Sequence, residues 1–348
     1  MRKLASVQRI LGSAPIEGAD RICQYFVQGW QTITQIGKFK EGDLAVFLEI
    51  DSVPPNEPAF AWLWEPLAAP TPHFRIRTKK LKGVVSQGVL FAFSEFPDAQ
   101  RTALEALEEG ADVTELLGVK KYELPQKLPG MGRSGEPPYG AFVADVPKTD
   151  EERLQSIGTK ILEELAGEPY IITEKCDGTS ATFTVDRDGV FRVYGRNWEI
   201  KPGDNLYWRV ARDYNIEQMM VENPELALQG EIVGPGIQKN RMGLKDYSIR
   251  AFTIFNKTKQ ERLPAHQLYQ ICDIYGIPLC RVIERGEDFD HTQETLLALA
   301  EGKYEGTGNE REGIVVRPMF PKHSRILGGS LSFKVISNRF LLKGGEDD

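Results

Sequence analysis

A lysine in the run Glu174-Lys175-Cys176-Asp177-Gly178-Thr179-Ser180 is the residue of this chain best placed for covalent chemistry. It follows the apolar, β-prone run Tyr170-Ile171-Ile172-Thr173 and precedes an Asp-Gly turn signal and a second β-prone run, Ala181 to Val185. A strand therefore delivers one amine to a bend where backbone can approach a ligand closely. Held in a pocket and partly stripped of water, such an amine loses its proton near neutral pH and acts as a nucleophile. Further along, Glu231 lies inside the apolar run Leu226 to Val233, and Glu312 opens the run Gly313 to Val316. An unpaired carboxylate is costly in either place. Ribose-type hydroxyls, a metal ion or a salt bridge to a nearby Lys or Arg would each remove that cost. Lys334, in Ser332-Phe333-Lys334-Val335-Ile336, shares a strand face with Ser332 and Ile336.

The elements that must position these groups fall into two parts. At 348 residues the chain is long enough for two domains. The first part reads as short strands with turns, through Ile10–Ser13, Gln24–Trp30, Gln31–Ile36 and Leu44–Ile50. This predicts an OB-like β-barrel over 1–127. A Gly/Pro-rich linker over 128–139 marks the boundary, and 140–348 form the second domain. There Thr149-Asp150-Glu151-Glu152-Arg153 predicts a helix start of the capping-box kind, with Thr149 facing Glu152. Beyond Lys175, Asp188-Gly189 predicts a hairpin, and Leu226–Val233 and Ile249–Phe255 further strands. Leu268, Ile271, Cys272 and Tyr275 predict a helix closed by Gly276. The fold class expected is α+β.

Composition narrows the function classes. The net charge of −7 argues against a chain that is basic all over, but nucleic-acid binding depends on a local stripe. One candidate stripe is Arg75-Ile76-Arg77-Thr78-Lys79-Lys80-Leu81-Lys82. A strand period puts Arg75, Arg77 and Lys79 on one face and Lys80 and Lys82 on the other, with Phe74 and Trp30 as stacking surfaces. A solvated charged edge strand is the equal alternative. The four cysteines and four histidines lack metal-ligand spacing, and the cysteines fit reduced thiols of a cytoplasmic protein. No apolar run approaches a membrane span, and the start lacks a signal-peptide core.

Taken in order, Lys175-Cys176-Asp177-Gly178, Gly195-Arg196-Asn197, Gln229-Gly230-Glu231, Ala251-Phe252-Thr253-Ile254, and Glu312 to Arg317 with Ser332 to Ile336 resemble the nucleotidyl motifs of covalent nucleotidyltransferases. That superfamily comprises polynucleotide ligases and mRNA capping enzymes. The run Pro15 to Ile22, Gly29-Trp30, Ser86-Gln87-Gly88 and Lys148 to Gln155 are similar to the Deinococcus-type RNA ligases, which carry an OB-like domain ahead of the nucleotidyltransferase (adenylation) domain. Conventional DNA ligases place theirs after the last motif, and here Lys334 is followed by few residues.

The resemblance implies a monomeric, ATP-dependent RNA ligase using Mg²⁺ or Mn²⁺. It would join a 3′-hydroxyl RNA end to a 5′-phosphate at nicks, through lysyl-AMP on Lys175, with Asp177 and Lys334 also catalytic. Glu174, Gly178, Arg196, Glu231, Phe252, Glu312 and Lys334 would hold the nucleotide, with Glu174 and Phe252 at the adenine. Glu312 and Glu231 would face the metal. A capping-type guanylyltransferase, a minimal DNA ligase and a non-catalytic nucleic-acid-binding protein are the alternatives. Two positions depart from relatives: Ile336 stands where some carry a second lysine, and Ser180 where some carry asparagine. Arg317, Lys322 or Arg339 are the candidate substitutes for the missing cation. Asp177 beside Lys175 would hold the amine's proton on, so burial, metal and Lys334 must oppose it.

Overall fold

A computed structural model describes residues 3–65, 74–122, 138–143 and 145–343. The expected linker lies outside the described residues over 128–137. Two compact units divide the chain, Met1–Gln126 with Gln155–Thr159, and Lys127–Leu154 with Lys160–Asp348.

In the first unit, β1 (Ala5–Pro15), β2 (Ile22–Val27), β3 (Trp30–Gln35) and β4 (Leu44–Leu48) are followed by β5 (Ser52–Val53), α1 (Ala61–Trp64), β6 (Lys79–Leu81), β7 (Val84–Ser86), β8 (Val89–Phe91), α2 (Asp98–Glu105) and β9 (Lys120–Lys121). Antiparallel pairing gives one sheet in the order β3-β2-β1-β4-β8. Its ends meet, because Gln87 N donates to Gln31 O at 2.8 Å and Thr32 Oγ1 to Gly88 O at 3.0 Å. The result is a nearly closed OB-like barrel. Alternating apolar residues fill it, and Trp30 packs inside against Phe47 with ring centroids 6.3 Å apart. Trp30 is therefore core and no stacking surface. Phe74 packs against Trp64 at 4.6 Å.

The basic segment is not one continuous strand, which overturns its expected two-faced pattern. Arg75 is buried, 3.5 Å from Asp51, with its guanidinium 4.3 Å from the Tyr122 ring centroid. Regular pairing begins only at Lys79, and Lys82 sits in the β6–β7 turn at φ 48°. Arg77, Lys79, Lys80 and Lys82 are exposed. Arg75 thus belongs to the fold of its unit, since a buried guanidinium needs its carboxylate.

The second unit runs β10 (Pro138–Ala141) and β11 (Glu152–Arg153) and, past α3 (Leu154–Ile157), most of which belongs to the first unit, α4 (Lys160–Leu165), β12 (Tyr170–Lys175), β13 (Thr179–Val185), β14 (Phe191–Tyr194), β15 (Trp198–Ile200), α5 (Leu206–Asp213), α6 (Ile216–Glu222), β16 (Leu226–Val233), β17 (Ser248–Asn256) and β18 (Glu261–Arg262). It continues through α7 (Ala265–Ile274), β19 (Val282–Gly286), α8 (Gln293–Ala300), β20 (Gly313–Pro318), the short β21 (His323–Ser324) and β22 (Gly329–Ser330), β23 (Phe333–Ile336) and α9 (Asn338–Leu342). Two sheets result: β10-β15-β14-β13-β16-β17-β18 and β11-β23-β20-β12-β19. In the first, Ala181, Phe183, Val185 and Leu228 join the core formed with Val210, Ile216 and Met219 of α5 and α6. The alternate residues Ser180, Thr182, Gln229 and Glu231 form the polar face.

The capping box expected at Thr149 does not form. Glu152 and Arg153 pair as a strand parallel to β23, and the helix is split in two around Gly158 at φ +84°. Glu151 explains the change. Its Oε1 lies 3.2 Å from Arg262 and 2.8 Å from Arg317, and drawing it away would leave two largely buried guanidiniums uncompensated. Burial alone would raise the Glu151 carboxyl, but the two guanidiniums pull it down to about 2. Its folded value lies below its unfolded one of about 4.3, so this stabilisation is complete above that pH and fades as pH falls toward 2. Glu151→Gln should lower unfolding free energy at pH 7 by about 2–4 kcal/mol. In urea titrations across pH, the gap to the native sequence should narrow from pH 4 to pH 2.

Candidate active site

Lys175 is the last residue of β12, and Thr179 opens β13 in the other sheet. Cys176-Asp177-Gly178 therefore carry the chain from one sheet to the other. Gly178 is required by packing: a β-carbon there would overlap the carbonyl oxygen of Ile232 on β16. Gly313 is required likewise, against Val335 O on β23. These close approaches are made by the protein's own backbone, whereas the Asp-Gly signal suggested only a bend that a ligand could near.

Register places the groups on β12, β20 and β23. Lys175 pairs with Gly313 and Gly313 with Ile336, while Thr173 pairs with Val315 and Val315 with Lys334. Paired residues and residues two apart share a sheet face, so Lys175 and Lys334 point the same way. Arg153 on β11 is in register with Lys334 and joins that face. The sequence reading missed Arg153 because it put this residue in a helix. Ile336, the position of the absent lysine, is fully buried beside Gly313. The three substitutes considered for it are engaged elsewhere: Arg317 with Glu151, Lys322 with Glu168 at 2.7 Å, and Arg339 with Glu301 at 3.5 Å.

Charges around Lys175 are sorted differently from the sequence expectation. Lys175 Nζ lies 2.6 Å from Glu312 Oε1, with the lysine side chain 25% exposed. Asp177, the expected counterweight, is held by Arg241 at 2.5 Å, whose guanidinium also packs 4.6 Å from the Phe340 ring centroid. The carboxylate that ion-pairs with Lys175 is thus Glu312. Cys176 cannot compete as nucleophile. A hydrogen bond with Cys280, Sγ to Sγ at 3.6 Å, and burial push its thiol well up, so it stays protonated.

Glu231 is pushed up to about 8, first by burial and then by the carboxylates of Glu312 and Asp177, against the pull of Lys175 and Arg196. Three acids thus act on one small region. Among the described residues no three His, Cys, Asp or Glu side chains converge as a metal cage. A hard cation such as Mg²⁺ or Mn²⁺ needs only one or two protein carboxylates when phosphate oxygens complete its shell, and Glu231 with Glu312 fit that requirement. Arg196 is exposed and 2.7 Å from Asp150, and Lys148 Nζ reaches Asn197 Oδ1 at 2.9 Å.

Phe252 owes its direction to a bulge. Gln229 pairs with Thr253 but the next residue, Gly230, pairs with Ala251, so Phe252 is the extra residue of β17. Strict alternation with Thr253 is lost there. Phe252 and Thr253 line one cavity of about 60 Å³ with Thr173, Arg317 and Leu331. Arg317 lies 5.5 Å from the Phe252 ring centroid and donates to Phe252 O at 2.7 Å. Glu174 alternates away from Lys175 and is raised by burial, which Arg311 and Arg281 oppose. Its buried Oε1 has no hydrogen-bond partner among the described residues.

A family model described as RNA ligase matches residues 168–336, and an OB-fold domain model matches residues 4–93. No curated protein matches the chain. Among solved structures, Naegleria gruberi RNA ligase with pyrophosphate is similar at 31% identity and a TM-score of 0.86, over 100% of each chain. A variant of that ligase with AMP and manganese is 30% identical with a TM-score of 0.86, covering 98% of this chain and 99% of that one. Another, solved with ATP and manganese, gives the same identity, coverage and TM-score.

The raised Glu231 carboxyl has a stability consequence. Between about pH 4.3 and 8 the folded protein keeps a proton that the unfolded chain has lost, so stability falls as pH rises through that window. Glu231→Gln should remove this loss. Denaturant titrations should find the variant as stable as the native sequence at pH 4 and more stable by roughly 1 kcal/mol or more at pH 9.

Proposed function

The chain belongs to the RNA ligase family, and from that premise we propose that it is an ATP-dependent ligase joining a 3′-hydroxyl RNA end to a 5′-phosphate end. The observation that carries this reading is the placement of Lys175 Nζ at the crossing between two sheets, against Glu312 and on the face that bears Lys334. Lys175 attacks the α-phosphorus of ATP; the N–P bond forms and the P–O bond to pyrophosphate breaks. AMP then passes to the 5′-phosphate, and the 3′-hydroxyl displaces it. Each step is an in-line phosphoryl transfer, so the protein's contribution is position and charge.

Lys334 supplies positive charge toward the phosphates from the same sheet face. Arg241 neutralises Asp177, leaving Asp177 to orient the Lys175 segment. Glu312 must give up its hold on the ammonium before Lys175 can attack. A divalent ion held by Glu312 and Glu231 with the phosphates would neutralise charge on the transferring group. Glu231 keeps its proton near neutral pH only until a cation arrives, and in either state its carboxyl is suited to hydrogen-bond ribose hydroxyls, while Arg196 reaches ribose or phosphate from the surface. Phe252, turned by its bulge, offers a face to adenine, and the orphaned Glu174 oxygen an acceptor at its edge. The substrate we propose is a nicked duplex with RNA on the 3′-hydroxyl side. One chain carries every residue named, so a monomer suffices, and four buried free cysteines suit the reducing cytoplasm.

Incubation with α-labelled ATP should label the peptide containing Lys175, whereas labelled GTP should not. Lys175→Ala should melt like the native protein yet take up no label; persistent labelling would sink the assignment. Replacing Arg77, Lys79, Lys80 and Lys82 together by Ala should weaken RNA binding and reduce its salt slope by about 3–4. Lysyl-AMP formation should be untouched in that variant, and unchanged RNA affinity would return the segment to a solvated edge.

A further inference from the structure

Where β12 ends, its carbonyl and amide groups need partners that the sheet no longer supplies. One phenol supplies them. Tyr304, 1% exposed, donates its hydroxyl to Lys175 O at 3.0 Å. The same oxygen accepts from Asp177 N at 3.1 Å and from Glu312 N at 3.2 Å. A phenolic hydroxyl has one proton to give and can accept two, so its capacity is used in full. All three partners belong to residues of the site, from both sides of the point where β12 leaves β20.

Tyr304 is itself held from several directions. A bridge between Lys303 and Glu310 closes its loop, Tyr304 N donates to Asn309 O at 3.1 Å, and Thr307 N donates to Tyr304 O at 3.1 Å. Asn309 Nδ2 donates to Arg241 O at 2.8 Å, tying the loop to the residue that pairs with Asp177. Arg311, next to Glu312, anchors the other end by donating to the carbonyls of Leu299, Ala300 and Glu301 at the end of α8. Burial and the nearby Glu312 push the phenol up, so it stays a neutral donor.

We propose that Tyr304 is a positioning residue for lysine adenylylation, whose hydroxyl fixes the backbone of Lys175, Asp177 and Glu312 in one geometry. It touches no substrate and acts through Lys175 and Glu312. This rests on the ligase reading above. Freed of the hydroxyl, the two strand ends can shift relative to one another, and the amine loses its line to the α-phosphorus. ATP recognition by the Phe252 pocket and the other basic groups is not touched.

Tyr304→Phe deletes the hydroxyl and keeps the ring. In single-turnover AMP labelling, its maximal rate should fall about 10- to 100-fold while half-saturating ATP changes less than about threefold. The packing control is Leu296→Val, on α8 and fully buried, which should lower the melting temperature without slowing labelling. The proposal is overturned if Tyr304→Phe labels at the native rate, if its defect lies in half-saturating ATP, if Leu296→Val slows labelling equally, or if the loss is accounted for by unfolded protein. The native protein labelled in parallel separates this test from the premise: no uptake of AMP there would remove the ligase reading itself.

Discussion

Three residues, Cys176 to Gly178, must carry the chain out of one sheet and into another, and the rest of the site depends on that short crossing. Lys175 is the last residue the first sheet can hold, and Thr179 the first held by the second. So short a link fixes the amine between two rigid layers. It also brings Glu231, from the polar face of the second sheet, into the field of Lys175 and Glu312 on the first. Glycine at 178 permits the crossing because β16 leaves no room for a side chain. Covalent catalysis by an amine gains from this, since its barrier is largely one of alignment.

The electrostatics of the crossing are those of a resting state. Lys175 is ion-paired with Glu312, Asp177 with Arg241, and Glu231 keeps its proton. On the function proposed above, cations and phosphates arriving together would draw Glu312 off the ammonium and favour Glu231 as the anion.

Much of the second domain was legible along the chain. The strand Leu226–Val233, the hairpin at Asp188-Gly189 and the helix ending near Gly276 are local patterns, written in alternation and turn chemistry. The misreadings share a cause. Thr149 to Arg153 has the composition of a helix start, yet a carboxylate wanted by two distant guanidiniums makes it extended. Arg75 has the spacing of a surface charge, yet Asp51 and Tyr122 draw it inward. Phe252 sits in a run that alternates on paper, and one unpaired residue turns it. Each depends on a partner far off in sequence.

The order of the motifs, with a lysine closing one β-prone run before a glycine bend, was enough to name the family of chemistry and to propose Lys175 as its nucleophile and Glu231 and Glu312 as its acids. Such information is local, because strand period and turn preference act over a few residues. Which acid faces the lysine, which arginine silences Asp177 and what satisfies the backbone at the crossing were decided only by the fold. Glu312 follows Lys175 by more than a hundred residues and meets it through the register of β12 on β20. Tyr304 comes from a loop that carries none of the motifs. Ion pairs and hydrogen bonds are made by distance in space, and sequence spacing does not encode that distance until the sheets are paired.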